Sequence, residues 1–127
     1  MQEKYLFEYA VVRLVPQVER EEFINVGVIL YCQQRKFLQS KIRLNEARLC
    51  AFTPQVDLQD IKSYLHAFEE ICKGAPDAGP IGKLDIASRF RWLTATRSTV
   101  VQTSKVHCGL CTDATKTLNR LFDEMVF

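Results

Sequence analysis

The sequence predicts an α+β fold: an antiparallel sheet of about five strands with two main helices packed on one face. Three observations predict it. Strand-like segments come first, helix-period segments follow, and strand-like segments return before a last helix, an order unlike a regular βαβ alternation. Residues 37–44 alternate, with Leu38, Ile42 and Leu44 on one side and Gln39, Lys41 and Arg43 on the other, as in a half-exposed antiparallel strand. The 127 residues, 47% hydrophobic and 25% charged, suit one globular core and are too few for two, so 1–127 is read as a single domain.

Residues 5–15 are almost continuously apolar, interrupted by Glu8 and Arg13, and stop at Pro16; they read as a central strand. Residues 17–23 carry Glu19, Arg20, Glu21 and Glu22 and read as a charged turn or a single helical turn. A second strand spans 24–32, and Gly27 inside it marks a bulge or a close backbone approach. The polar run Gln33-Gln34-Arg35-Lys36 links it to the alternating strand 37–44.

Residues 45–52 read as a short helix ended by Thr53-Pro54. In the next segment Leu58, Ile61, Leu65, Phe68 and Ile71 recur at three- and four-residue steps. Asp57 or Thr53-Pro54 starts this helix and Gly74 ends it. Pro76, Gly79 and Pro80 make 74–82 a loop. Residues 90–93 and 99–106 read as strands with Arg97-Ser98 near the turn between them. Thr112 or Asp113 then caps a helix whose apolar face is Leu118, Leu121, Phe122 and Met125.

The net charge is +2, too small to imply a nucleic-acid partner from global electrostatics. Met1-Gln2-Glu3-Lys4 lacks the basic start and apolar core of a signal peptide, and no apolar run approaches the ~20 residues of a membrane helix. The odd set Cys32, Cys50, Cys72, Cys108 and Cys111 has no regular spacing and suits a reducing compartment, so a cytoplasmic protein is expected.

Three clusters hold chemistry. Between residues 81 and 111, Lys83, Arg89, Arg91, Arg97 and Lys105 face only Asp85. If 88–96 is extended, Arg89 and Arg91 share a face, Arg97 joins it, and three guanidinium groups can clamp a phosphate or carboxylate, with Ser98 and Thr99 adding hydroxyls. A solvated strand face is the bland alternative, with Phe90 and Trp92 in the core behind it. The second cluster is Arg13, Arg20, Glu22 and Asn25. Arg13 interrupts an apolar strand and needs a partner: a structural ion pair with Glu19, Glu21 or Glu22, or one wall of a polar cleft. The third is His107-Cys108-Gly109-Leu110-Cys111. One Cys-x-x-Cys is half a zinc site at most, and the other ligands are not evident, so neither metal nor cofactor is expected. No phosphate-binding glycine loop, nucleophile elbow or histidine pair at metal spacing is present, and no catalytic residue is assigned.

Tyr9-Ala10-Val11-Val12-Arg13-Leu14-Val15-Pro16, followed by Glu19-Arg20-Glu21-Glu22-Phe23-Ile24-Asn25-Val26-Gly27-Val28-Ile29-Leu30, resembles the bacterial family known as domain of unknown function 3037. Arg89-Phe90-Arg91-Trp92-Leu93-Thr94-Ala95, with Arg97-Ser98 and Gln102-Thr103-Ser104, is similar to that family's second motif. The resemblance covers nearly the whole chain. It implies a small bacterial protein without an established activity, often encoded beside a kinase-like protein similar to the toxin kinases of persistence modules, which makes such a protein the expected partner. It draws attention to Arg13, Arg20, Asn25, Gly27, Arg89, Arg91 and Arg97.

These readings set the functional expectation. The first is an accessory or binding module that engages a kinase-like partner through an anion- or partner-binding set of Arg13, Arg20, Asn25, Arg89, Arg91, Arg97 and Ser98. The alternative is a binder of nucleic acid or of a phosphorylated ligand, or an enzyme acting on one. A structural zinc domain is the third reading.

Overall fold

The computed structural model describes residues 3–53 and 56–126; Pro54, expected to punctuate the first two helices, lies outside them. Strands β1 (Tyr5–Leu14), β2 (Ile24–Cys32) and β3 (Phe37–Ile42) form an antiparallel meander, with a 3-10 turn at Val18–Arg20 between the first two. Helices α1 (Glu46–Phe52) and α2 (Leu58–Lys73) follow, then a 3-10 turn at Pro76–Ala78 and the short helices α3 (Gly79–Gly82) and α4 (Ile86–Leu93). Strands β4 (Val101–Thr103) and β5 (His107–Cys111) precede the last helix, α5 (Ala114–Val126). The sheet order is β3-β2-β1-β4, and β5 pairs with β1 beside β4. No helix among the described residues is long and apolar enough to cross a membrane.

The α+β class and the five-stranded antiparallel sheet are those predicted. The helix placement is corrected: the two main helices lie on opposite faces. On one face Ala10, Val12 and Leu14 of β1 pack with Ile61, Leu65 and Phe68 of α2 and with Phe90 and Leu93 of α4. On the other, Phe7, Val28, Leu30 and Cys32 pack with Leu118, Leu121 and Phe122 of α5. A sheet covered on both sides needs apolar residues at consecutive positions, which is why β1 and β2 read as continuous runs.

Gly27 shows both features expected of it. The β1–β2 register slips between Val12 and Arg13, which pair with Gly27 and Asn25, so Val26 is an extra residue. The bulge resets the alternation of β2: Ile24 and Val26 before it share the α2 face with Ile29 and Tyr31 after it. A Cβ on Gly27 would come within 2.6 Å of the Lys41 carbonyl oxygen and 2.7 Å of Ile42 Cγ1.

Local signals set the helix ends. The Asn45 side chain accepts from the Arg48 N–H at 3.0 Å and Asp57 from the Asp60 N–H at 3.2 Å. Gly74 ends α2 in the left-handed conformation at φ 68°, and Asp113 starts α5 by accepting from the Lys116 N–H at 3.1 Å.

Two predictions in the second half are corrected. Residues 90–93 belong to a helix, because Asp85 accepts from the Ser88 N–H at 2.7 Å and caps α4. That hydrogen bond, with a second from the Ser88 hydroxyl, holds the Asp85 carboxyl below the usual carboxylate range. The alternation of Arg89, Phe90, Arg91 and Trp92 looks strand-like, yet Ile86, Phe90 and Leu93 fit a helical face equally well, and a window this short satisfies both periods. Residues 99–106 do not make one strand. Pairing stops after Thr103, and Ser104 bridges the break: its N–H donates to the Val11 carbonyl and its Oγ accepts from the Val11 N–H, both at 2.8 Å. The chain then returns to β1 as β5, which the sequence reading treated only as a cysteine motif.

Candidate functional site

The arginines expected to converge do not. In α4, Arg89 and Arg91 are about 200° apart around the helix axis, so the shared face predicted from an extended chain is absent. Arg89 runs back toward the end of α2, where a Cβ on Gly74 would lie 1.8 Å from its Nη1. Arg91 reaches across to β1 and pairs with the Glu8 carboxylate at 2.7 Å. Arg20 pairs with Glu22 on the surface, an exposed ion pair that contributes little. Ser98 is exposed in the loop after α4.

Arg13 and Asn25 do come together. Arg13 stands opposite Asn25 of β2 and Gln102 of β4, so the three share one row across the sheet on the α5 side. The Arg13 guanidinium lies over the Phe23 ring at 4.1 Å, which is the partner that an ionised side chain in this strand required; the expected acidic partners are replaced by an aromatic face. Asn25 Nδ2 donates to the Met125 carbonyl at 3.1 Å and ties the end of α5 to the sheet. Among the described residues, the buried Arg13 Nε and Asn25 Oδ1 have no hydrogen-bond partner.

Arg97 occupies a different and more ligand-like place. Its guanidinium covers the Trp92 ring at 4.3 Å and donates to the Trp92 carbonyl, closing the last turn of α4. This cation–aromatic pair forms one end of a groove of about 360 Å³ between α2, α4 and β4. Tyr64, Ala67, Phe68 and Ile71 line it from α2, and Leu93, Thr99 and Val101 complete the lining. Tyr64 is 49% exposed and Trp92 37%, large aromatic surfaces held in water. Apart from the bond to the Trp92 carbonyl, the Arg97 N–H groups have no acceptor among the described residues. The groove therefore offers an apolar slot between aromatic walls with donors for an anionic group at one end.

The sequence reading named Arg97 and Thr99 but placed Trp92 in the core and overlooked Tyr64. A signal for Tyr64 existed. The buried residues of α2 are Ile61, Leu65, Phe68 and Cys72, and Tyr64 lies off that stripe. A large aromatic outside the core face of an amphipathic helix calls for an explanation.

In the His107–Cys111 segment, strand alternation separates the two thiols: Cys108 is exposed, whereas Cys111 is buried on the α5 side. Burial, together with the neighbouring Cys32, raises the Cys111 pKa. Among the described residues no group of three or more His, Cys, Asp or Glu side chains gathers in a metal-ligating arrangement.

The family described as protein of unknown function (DUF3037) matches residues 9–126, from the middle of β1 to the end of α5. No curated protein and no solved structure matches the chain.

Proposed function

We propose that the chain, which belongs to the DUF3037 family, is a binding protein that receives a segment of a partner protein in the groove between α2 and α4. The observation that carries this reading is the groove itself: Trp92 and Tyr64 exposed at an apolar slot, with the Arg97 guanidinium stacked at its end. Exposed aromatics and arginines are the residues that dominate protein interfaces when they become desolvated. The segment that suits this slot carries a large apolar side chain beside an acidic residue or a phosphorylated one. A kinase-like protein, the partner implied by the family resemblance, is the candidate to supply it.

Co-expression with the kinase-like protein encoded beside a family member, followed by affinity purification, tests the reading. Co-purification that is lost in Trp92→Ala and in Arg97→Ala is the expected result, with an unchanged circular dichroism spectrum showing that each variant is folded. Complex formation unchanged by both substitutions overturns it. The nucleic-acid alternative makes a different prediction, retention on heparin that falls steeply with salt. The dispersal of Arg13, Arg20, Arg89 and Arg91 among separate surroundings supports the protein-binding reading over that one.

A further inference from the structure

Among the described residues β3, β4 and β5 each pair with a single neighbouring strand, so each has an open side. What stands beside them differs. The helix layer stops short of β5, where Leu6 and Leu110 are 56% and 64% exposed. Beside β3 lies a hollow lined by Glu46, Lys62, His66 and Glu69, with Lys62 already held by Glu46 at 2.7 Å. Beside β4 lies the groove of Tyr64, Trp92 and Arg97, apolar along its length with guanidinium donors at one end.

We infer that the segment received in this groove is extended and pairs through its backbone with the outer side of β4, adding a strand to the sheet. The pairing presupposes that the groove is the binding site, as proposed above, and fixes the conformation and residue pattern of what binds there. The Val15 N–H donates to the Val100 carbonyl at 2.7 Å and the Ser104 N–H to the Val11 carbonyl at 2.8 Å. Val100, Gln102 and Ser104 thus turn their backbone groups toward β1, and by the antiparallel alternation Val101 and Thr103 turn theirs outward. The outward Val101 carbonyl accepts the Thr99 hydroxyl at 2.8 Å, a side chain standing in for a missing strand neighbour, and its second lone pair is left for an incoming N–H.

The side chains of the same two residues point to the groove side of the sheet. Val101 and Thr103 lie opposite Leu14 and Val12, which belong to the core under α2 and α4, and Val101 lines the groove. Thr103 Oγ1 is buried, and among the described residues it has no hydrogen-bond partner. A buried hydroxyl calls for one, and a Ser or Thr directly across on an added strand supplies it. That strand would run about 4.8 Å outside β4, with residues two apart sharing a face. A large apolar residue opposite Val101 then enters the slot between Tyr64 and Trp92. The Ser or Thr two positions to one side meets Thr103, and an acidic residue two positions to the other side lies toward Arg97. Main-chain bonds supply affinity in such strand addition, and the alternate side chains supply specificity. A helix in the same groove would set its acidic and apolar residues three or four apart and leave the outward groups of β4 unpaired.

Selection of a display library of random linear peptides against the whole protein tests this, with the Trp92→Ala protein as counter-selection. Enriched peptides should carry an acidic residue, a large apolar residue and a Ser or Thr at alternate positions, with no proline between them. N-methylation of alternate amides in the tightest of these, made synthetically, leaves its side chains and the protein untouched. One set of methyl groups should weaken binding roughly tenfold or more, and the other set, on amides that point away from β4, should change it little. The Val101 and Thr103 amides should gain protection from hydrogen exchange in the bound protein. Peptides that need Trp92 but space the acidic and apolar residues three or four apart overturn the pairing and leave the groove reading standing. So do peptides that tolerate both methylated sets, or that leave the Val101 and Thr103 amides exchanging as in the free protein. If no peptide distinguishes the wild-type protein from Trp92→Ala, the groove reading fails and the pairing fails with it.

Discussion

Replacing Ser104 by alanine should destabilise the fold far more than its place in a loop suggests. Ser104 sits where β4 leaves β1 and β5 has not yet joined it, a point at which the central strand would lose a ladder partner. Its Oγ accepts the Val11 N–H at 2.8 Å and donates to the Lys105 carbonyl at 3.0 Å. Ser104 and Val11 are both buried, so alanine leaves the Val11 donor without a partner and without ready access to water. A buried donor stripped of its partner costs about 1–3 kcal/mol, whereas the volume removed is too small to add a significant cavity term. At roughly 4 °C per kcal/mol for a chain of this size, the melting temperature should fall by about 4–12 °C. Urea unfolding followed by circular dichroism gives the midpoint, which should drop with an unchanged slope. Ser104→Thr keeps the hydroxyl and should recover most of the loss, and exchange of the Val11 amide should accelerate only in the alanine variant. A loss below about 0.5 kcal/mol, with Val11 still protected, would show that the serine hydroxyl is not what satisfies the strand.

Gly27→Ala forces a methyl group against the Lys41 carbonyl and the Ile42 side chain at the bulge. Backbone cannot yield as a side-chain tip can, so a loss of about 1–3 kcal/mol in urea unfolding is expected. The Cys72 thiol, buried under α2, is pushed up to about 11 from 9.0, chiefly by desolvation. Below pH 9 it is protonated in the folded and unfolded chain alike. Above that the unfolded chain ionises first, so its contribution to stability falls between pH 9 and about 11, by no more than about 1.4 kcal/mol per pH unit. Cys72→Ala should flatten this part of a stability–pH profile, and an unchanged slope in that variant would refute the assignment.

The sequence by itself determined the parts of this protein whose signals lie within a few residues. The runs that became β1 and β2, the alternation of β3 and the apolar stripes of α2 and α5 are periodicities, and periodicity decides local structure wherever the run is long enough. Asn45, Asp57, Gly74 and Asp113 set helix ends through hydrogen bonds and torsion angles that need only their own neighbours. Gly27 announced its bulge because a glycine inside an apolar strand has few other uses. Segment 86–93 was ambiguous because its apolar positions fit both periods; the Asp85 cap and the burial of Phe90 beside Tyr31, ring centroids 5.2 Å apart, decided for helix. With that choice Arg89 and Arg91 separated, and the clamp imagined from their spacing dissolved. Only the tertiary structure put α2 and α5 on opposite faces, since an amphipathic stripe demands a sheet face without saying which one. It alone placed Trp92 and Arg97 against Tyr64, nearly thirty positions earlier in the chain, because a groove between elements belongs to none of their sequences separately.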